Sequence, residues 1–179
     1  MRILITRHGQ TDWNLQKKVQ GRADISLNEN GKNEAKEIHN KLKDEKIDLI
    51  ISSPLDRTRE TSELIRGDRD IPIILDERII ERSFGINEGK NKNDFEFYDF
   101  WDYEKNIEIE GAEKIQDFFD RIYKFLDEIK EKYKDKNILL VSHAGVSIVL
   151  RCYLNGIERK DAREKVERLK NCEVDIYDI

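Results

Sequence analysis

The chain has 179 residues, a length that suits one domain, over 1–179, with a substantial hydrophobic core. Charged residues make up 40% of it, but acids and bases are interspersed and the formal net charge is only −5, so no basic excess indicates a nucleic-acid partner. Its apolar runs are too short to cross a bilayer, and its first residues do not read as a signal peptide. Because its two cysteines are not in a Cys-x-x-Cys pair, we expect a cytoplasmic protein with reduced thiols.

Five segments are predicted to be strands, and the first, second and fourth are nearly continuous apolar runs, typical of strands covered on both faces. In chain order they are 2–6, 48–52, 72–75, 138–142 and 173–178. Helices are predicted from apolar spacing and capping residues at 28–45, 54–66, 112–134, 145–154 and 158–169. Since strands and helices alternate, the sequence predicts an α/β fold, a three-layer α/β/α sandwich with a mostly parallel central sheet.

Polar side chains follow three of the predicted strands. Arg7 and His8 come after the first strand, Ser53 and Arg57 after the second, and His143 after the fourth. In open α/β sheets, functional groups gather at the carboxyl ends of the parallel strands. We therefore expect two imidazoles, two guanidiniums and several helix N-termini to meet at one edge of the sheet.

This combination of groups predicts an anion site. Guanidinium groups suit bidentate phosphate contacts, and helix N-termini add oriented N–H groups. The alternative is a metal site in which His8, His143 and Glu81 form a two-histidine, one-carboxylate set. Arg7 and Arg57 aimed at the same point would repel a divalent cation, so the sequence favours phosphate and predicts neither a metal nor another cofactor.

Seven motifs along nearly the whole chain strengthen the phosphate interpretation. They are RHGQT (7–11), Asn14, QGRAD (20–24), SSPLDRTRET (52–61), ERSFGINEG (81–89), EGAEKIQDFFDR (110–121) and VSHAGV (141–146). In this order and at this spacing they resemble the histidine phosphatase superfamily, also called the phosphoglycerate mutase-like family. The resemblance implies a phosphoglycerate mutase-like fold and phosphoryl transfer through a phosphohistidine.

The same resemblance implies roles for the residues at the strand ends. His8 is expected to be the nucleophile that attacks phosphorus. Arg7, Asn14, Arg57 and His143 are expected to bind the phosphate oxygens, with His143 in its cationic form.

Further roles follow from the other motifs. Glu81 is expected to protonate the leaving oxygen and then to activate water. Gln20 and Gly21 are candidate substrate contacts. In contrast, Arg121 is expected to be a solvated charge on the polar side of its helix, and His39 to be exposed and inert.

The segment 94–104, DFEFYDFWDYE, allows two interpretations. Its five carboxylates could lie at the mouth of the site, where they would repel a bisphosphate and favour a substrate with one phosphate and an apolar or aromatic body. Alternatively, the segment is an amphipathic helix whose six aromatic rings are buried in the core. Gln10, where mutases typically have Glu, and the short region after Glu81 also favour the phosphatase branch of the family.

The sequence thus predicts a metal-independent phosphomonoesterase that acts on a small phosphorylated metabolite, a small-molecule phosphate ester. The alternatives are a cofactor-dependent phosphoglycerate mutase and a non-catalytic module that binds a phospho-ligand or a metal. Phosphoserine, phosphoglycerate, α-ribazole phosphate and sugar phosphates fit the prediction equally as substrates, and the sequence predicts no oligomeric state.

Overall fold

The computed structural model describes all residues, 1–179, and contains one five-stranded sheet with the strand order β3-β2-β4-β1-β5. The strands are β1 (Arg2–Arg7), β2 (Leu49–Ser52), β3 (Ile73–Leu75), β4 (Asn137–Ser142) and β5 (Val174–Asp178). The helices are α1 (Asp12–Leu15), α2 (Glu29–Lys41), α3 (Asp56–Arg66), α4 (Phe97–Phe100), α5 (Ile115–Lys132), α6 (Ala144–Leu154) and α7 (Ala162–Lys165). Three 3₁₀ turns lie at Glu77–Ile79, Gly85–Asn87 and Arg159–Asp161.

The sheet is mostly parallel, as predicted. β1 pairs in parallel with β4, β4 with β2, and β2 with β3, whereas β5 runs antiparallel to β1 at one margin. The register pairs Arg7 with Ser142 and Val141 with Ser52, so the carboxyl ends of the three central strands lie at one level. Residues that follow these strands therefore emerge side by side.

Two hydrophobic clusters on opposite faces of the sheet make the fold a three-layer sandwich. Ile3 and Ile5 of β1 belong to the larger cluster, with the apolar side chains of α5 and α6. Leu4, which alternation turns to the other face, belongs to the second cluster with α2 and α3. The predicted α/β/α architecture is confirmed. No helix in the structure is both long enough and apolar enough to span a membrane.

The prediction of a helix over 158–169 is wrong for most of its length. After a 3₁₀ turn, α7 covers only Ala162–Lys165, and Val166 is already extended. The reason is tertiary: Leu169 is fully buried, its N–H donates to Ser147 Oγ (3.1 Å), and its carbonyl accepts from Arg7 Nη1 (3.2 Å). These bonds require the segment to run extended against the end of β1.

The starting residue predicted for the long amphipathic helix is also too early. α5 begins at Ile115 rather than at 112, because residues before it pair with the chain near Phe84. Ala112 forms an isolated antiparallel bridge with Phe84, and the N–H of Glu113 donates to the carbonyl of Ser83 (3.1 Å). The motifs ERSFGINEG (81–89) and EGAEKIQDFFDR (110–121) therefore lie next to each other.

Candidate active site

The residues that follow β1, β2 and β4 meet at the carboxyl edge of the sheet. The N–H of His8 donates to the carbonyl of Ser142 (3.0 Å), which holds the chain after β1 beside the end of β4. The rings of His8 and His143 then lie edge to face with their centroids 5.4 Å apart. Arg57 reaches the same place from the first turn of α3 and is fully buried.

These groups form the inner end of a cavity of about 570 Å³. We call this end the floor and define it by Arg7, His8, Arg57, Glu81 and His143. All of these line the cavity except His143, which is fully buried beside His8. We call the outer part of the cavity, lined by residues of 17–18, 84–101 and 162–168, the mouth.

His8 is held as a neutral ring with one free nitrogen. Its Nδ1 lies 2.7 Å from the carbonyl oxygen of Gly9, and since a carbonyl only accepts, Nδ1 carries the proton. Nε2 has no hydrogen-bond partner within the chain, and the residue lines the cavity. Burial, followed by the charges of Arg57 and Arg7, lowers the pKa of His8 well below its ordinary value. The ring is therefore a neutral nucleophile with its lone pair on Nε2.

His143 is also neutral in the protein alone. Burial is the main cause that lowers its pKa well below the ordinary value, and Arg57 adds to the effect. Nε2 lies 2.7 Å from Ser53 Oγ, whereas Nδ1 is buried without a hydrogen-bond partner. The expectation of a cationic His143 concerns the site with phosphate bound, so it stays a prediction. A phosphate dianion beside the ring would raise its pKa and act against these causes.

The two arginines of the floor have no carboxylate partner; Arg57 is fully buried and Arg7 is partly buried. Arg57 donates to the carbonyls of Ala23 (2.8 Å) and Gly21 (2.7 Å), and Arg7 donates to that of Leu169 (3.2 Å). Burial is the main cause that lowers the pKa of both guanidiniums to about 10. Because charges withdrawn from water without a counter-ion are costly, a buried and a partly buried cation at one point indicate a site for an anion.

The predicted contacts from α1 and the loop after it are of two kinds: two side chains with a polar group available to a ligand, and one glycine. Asn14 lines the cavity, and its Oδ1 accepts the N–H of Thr11 (3.0 Å) in a capping box, which leaves its amide N–H₂ group free to donate. Gln20 also lines the cavity, and its Oε1 is buried without a partner. Gly21 also lines the cavity, but its carbonyl accepts a hydrogen bond from Arg57. Its role in the structure is therefore to orient that guanidinium.

Glu81 is fixed at the floor by two backbone N–H groups. Its Oε1 accepts from the N–H of Arg82 (2.9 Å), and its Oε2 accepts from the N–H of Gly145 (2.9 Å) at the start of α6. A Cβ at position 145 would collide with the Glu81 carboxylate and the ring of Trp101. Glycine is thus required here because the carboxylate and the indole approach the backbone closely.

The prediction that Arg121 is a solvated charge is wrong. Its guanidinium pairs with Glu113 (Nε to Oε1, 2.6 Å) and donates to the carbonyls of Arg78 (2.7 Å) and Ile80 (2.8 Å). It also donates to the carbonyl of Glu81 (3.3 Å), so it supports the chain that carries the floor carboxylate. No sequence pattern predicts this role, because Glu113 lies before the start of α5 and Arg121 lies within it.

His39 is also placed differently from the prediction. It is half-buried, and its Nδ1 lies 2.9 Å from the carbonyl of Ile65 near the end of α3. It is remote from the floor and contributes to the packing of α2 on α3.

Arg82 joins the floor to the mouth. It is fully buried, and its guanidinium carbon lies 3.4 Å from the centroid of the Phe100 ring. It donates to the carbonyl of Glu113 (2.9 Å) through Nε and to the carbonyl of Phe100 through Nη1. The aromatic segment is therefore anchored directly to the residue that follows Glu81.

The carboxylates of 94–104 do not lie where one interpretation placed them, and only some of its aromatic rings are buried as the other interpretation expected. None of its five carboxylates lines the cavity; Asp99 pairs with Lys105 (2.7 Å) and Asp102 with Arg163 (3.3 Å). The expectation that these acids lie at the mouth is therefore wrong. Only Phe97–Phe100 is helical, with Phe100 in the interior, while other rings of the segment line the mouth.

No cluster of three or more His, Cys, Asp or Glu side chains in 1–179 has an arrangement that could hold a metal ion. Cys152 and Cys172 are both free and buried.

Comparison with known proteins gives a consistent family. The protein-family model described as "Histidine phosphatase superfamily (branch 1)" matches residues 3–179 of the chain. The chain is 33% identical over 154 residues to the uncharacterized phosphatase PhoE of Bacillus subtilis. This match covers 86% of this chain and 77% of that protein. It is 31% identical over 185 residues to the probable phosphoglycerate mutase GpmB of Escherichia coli, with 99% and 85% covered.

A solved structure shows the same fold. The alpha-ribazole phosphatase of Shigella flexneri superposes with a TM-score of 0.88 at 29% identity, over 100% of this chain and 91% of that one.

Proposed function

The chain belongs to branch 1 of the histidine phosphatase superfamily, and we propose that it is a phosphomonoesterase that hydrolyses small phosphate esters through a phosphohistidine on His8, without a metal ion. The observation that carries the proposal is the state of His8. Its Nδ1 proton is committed to the Gly9 carbonyl, so Nε2 presents a lone pair to a cavity whose inner end holds Arg7 and Arg57.

The first half of the reaction moves the phosphoryl group to the protein. Nε2 of His8 forms a bond to phosphorus while the bond from phosphorus to the ester oxygen breaks. Arg7 and Arg57 neutralise the charge on the non-bridging oxygens, and the amide of Asn14 donates a further hydrogen bond. Glu81 gives its proton to the departing oxygen, which leaves as an alcohol.

The second half returns the protein to its starting state. Glu81, now a carboxylate, takes a proton from water as the water oxygen attacks phosphorus and the bond to His8 breaks. Inorganic phosphate leaves, and His8 is again neutral with a lone pair on Nε2. His143 lies beside His8, where a bound phosphoryl dianion would favour its charged form and so add a third cation to the floor.

The guanidiniums and imidazoles supply the positive charge that a metal ion would otherwise contribute. Two cations without carboxylate partners already face the phosphoryl position, and a divalent ion there would be repelled by both. This is the support for a reaction without a metal. The names of the relatives, PhoE and the alpha-ribazole phosphatase, favour the hydrolytic branch.

A phosphoglycerate mutase is the second candidate, because the mouth is basic and GpmB is among the relatives. In that reaction, the phosphoryl group on His8 passes to the hydroxyl of a phosphoglycerate instead of to water. Interconversion of 3- and 2-phosphoglycerate that is stimulated by 2,3-bisphosphoglycerate and exceeds hydrolysis would replace the phosphatase proposal with this one.

The decisive experiment traps the intermediate. The protein is mixed with a ³²P-labelled phosphate ester, quenched in alkali within milliseconds, and scored for protein-bound label that is stable in base and labile in acid. We expect label on the wild type in the presence of a chelator and none on His8→Ala. His39→Ala is the matched control, because this histidine lies outside the cavity, and it should carry label like the wild type. Activity that requires added Mg²⁺ or Zn²⁺, or label on His8→Ala, would overturn the proposal.

A further inference from the structure

The cavity is far more basic than one phosphoryl group requires. Seven basic side chains line it, against the single carboxylate of Glu81, in a protein whose formal net charge is −5. Two of the seven are the floor arginines. The other five lie at the mouth: Lys17, Lys18, Lys92, Arg163 and Arg168. A positive cavity in an acidic protein concentrates anions, so these five cations need an explanation beyond solubility.

Two of the five are accounted for. Arg163 pairs with Asp102 (3.3 Å), which compensates its charge. Arg168 is exposed and lines the cavity, and it precedes Leu169, whose carbonyl accepts from Arg7 Nη1 (3.2 Å), so it lies near the floor. Arg168 therefore adds to the field at the floor. Three lysines remain without an explanation.

These three lysines form one rim of the mouth, which we call the lysine rim: Lys17, Lys18 and Lys92. Two chain segments hold them together, since Lys18 forms an antiparallel bridge with Asn91. The N–H of Val19 donates to the carbonyl of Lys90 (2.9 Å), which extends this pairing by one residue. The rim is thus fixed by backbone hydrogen bonds and not only by long side chains.

The lysine rim has no carboxylate partner. None of its three ammonium groups takes part in an ion pair, whereas Lys32 and Lys105 elsewhere in the chain pair with acids at 2.9 and 2.7 Å. Lys18 instead lies over the ring of Trp13, 5.6 Å from its centroid. Like charges that line one cavity repel one another, and an anion bound among them would offset the repulsion.

An aromatic wall adjoins the lysine rim. Val19, next to Lys18, is buried in one cluster with Phe84 and Phe100. Phe97 stacks on Phe84: the two rings are nearly parallel, and their centroids are 6.0 Å apart. Phe84, Phe97 and Trp101 all line the cavity that the floor and the rim share. A ligand that bridges floor and rim would therefore pass along apolar rings.

We propose that the substrate is a phosphate ester with an apolar or aromatic body that carries a second anionic group, a carboxylate or a second phosphate, bound by the lysine rim. The inference rests on the proposed function, because it assumes that the ester phosphate binds at the floor. Charge-assisted hydrogen bonds from ammonium groups are the contacts that such an anion would receive.

The test uses matched aryl phosphates. One arm carries a carboxylate on the ring, directly or through one or two methylenes; a second carries a phosphonate in its place. The uncharged control is the corresponding carboxamide, which has nearly the same shape, and phenyl phosphate is the reference. We expect kcat/KM for the better charged arm to exceed that of its carboxamide by about tenfold, which corresponds to about 1.4 kcal/mol. The phosphonate and carboxylate arms decide which anion the rim prefers.

Variants then locate the effect. The double variant Lys18→Gln/Lys92→Gln should reduce the charged-to-carboxamide ratio to about twofold or less, since two of the three rim charges are removed. The ratio cancels any general loss of activity. Lys36→Gln/Lys43→Gln is the control with the same charge change, because both lysines are exposed, unpaired and outside the cavity, and it should leave the ratio as in the wild type.

The outcomes separate the two proposals. If phenyl phosphate is hydrolysed but the charged and carboxamide arms are equal for every linker length, the second-anion proposal fails while the proposed function stands. If the wild type shows a preference that survives in Lys18→Gln/Lys92→Gln, the lysine rim is not the site. If no aryl phosphate is hydrolysed and none labels His8, the proposed function fails first.

Discussion

The floor and the mouth of the cavity are built in different ways. The floor follows the ends of β1, β2 and β4; its imidazoles and Arg57 are almost fully buried, and Arg7 is partly buried. The mouth is built from loops, the four-residue helices α4 and α7, and aromatic rings, and it includes side chains as exposed as Tyr98, of which 71% is accessible. This difference indicates that the sheet determines the chemistry, whereas the loops determine which ester is accepted.

Glu81 lies where the two regions meet. Its carboxylate is fixed by the N–H of Gly145 on the floor side, and the next residue, Arg82, anchors the aromatic segment of the mouth. Substrate shape at the mouth can therefore affect proton transfer at the floor through two adjacent residues. The predictions below test where the boundary between the two regions lies.

The largest effect is expected at the floor, from His143→Ala. The substitution leaves the nucleophile His8 in place but removes a group that stabilises charge on phosphorus, so kcat should fall by about 10²–10³-fold, as for the loss of one oxyanion donor. Rapid alkaline quench should still find label on the protein, formed more slowly. Ser53→Ala removes only the partner of His143 Nε2 and should cost less. Complete loss of label in folded His143→Ala would instead assign the nucleophile to this histidine.

The next effect is expected at the boundary, from Glu81→Gln. An alkyl phosphate, whose alcohol needs a proton to leave, should lose about 10²-fold or more in kcat/KM. p-Nitrophenyl phosphate should lose far less, because nitrophenolate leaves without a proton. The two substrates are measured on the same preparation, so their ratio is independent of the active fraction. Equal losses for both esters would remove Glu81 from the role of general acid.

The sequence predicts the floor much better than the mouth, and the reason is physical. Arg7, His8 and His143 lie at or just after the ends of apolar runs that predict buried strands, and parallel strands bring their carboxyl ends together wherever the loops go. The mouth depends on contacts between distant segments, such as Arg82 with Phe100 and Ala112 with Phe84. No periodicity within 94–104 reveals which of its rings are buried and which line the cavity.

Polar residues on helices show the same limit. Arg121 has the surroundings of a solvated side chain in the sequence, and only the fold places Glu113 and three backbone carbonyls around it. Likewise, the polar composition of 158–169 suits a surface helix, but the buried Leu169 and its bond to Ser147 require an extended path. Tertiary hydrogen bonds override local propensity at both places.

A smaller effect is expected behind the boundary, from Arg121→Gln. This residue does not line the cavity but supports the chain that carries Glu81, so it should act as a positioning residue. We expect kcat to fall by about tenfold, since a small displacement of a catalytic group is costly. The loss should be greater for an alkyl phosphate than for p-nitrophenyl phosphate, as for Glu81→Gln. Arg121→Lys should recover part of the activity because it keeps the charge beside Glu113. Equal losses for both esters would indicate a general structural role.

The smallest effect is expected on stability, and it again distinguishes the floor. Burial, with Arg57 and Arg7, lowers the pKa of both His8 and His143 in the folded protein. The unfolded chain therefore binds more protons once the pH falls below the ordinary histidine pKa of about 6.5, so these groups stabilise the fold fully above that pH and progressively less below it. Each can contribute a slope of at most about 1.4 kcal/mol per pH unit, which corresponds to a few °C in Tm for a chain of this size.

Thermal unfolding measured between about pH 7.5 and 5.5, above the range in which most carboxylates titrate, isolates this contribution. Tm should fall with decreasing pH in the wild type, and His143→Gln should show a shallower slope because it lacks one of the two groups. Vanadate should also reduce the slope, since an anion held by the floor arginines raises the pKa of the adjacent ring and opposes the effect of burial. A slope that is the same in the wild type, in His143→Gln and with vanadate would show that the floor histidines do not titrate against the fold. The cause of any acid sensitivity would then lie outside the floor.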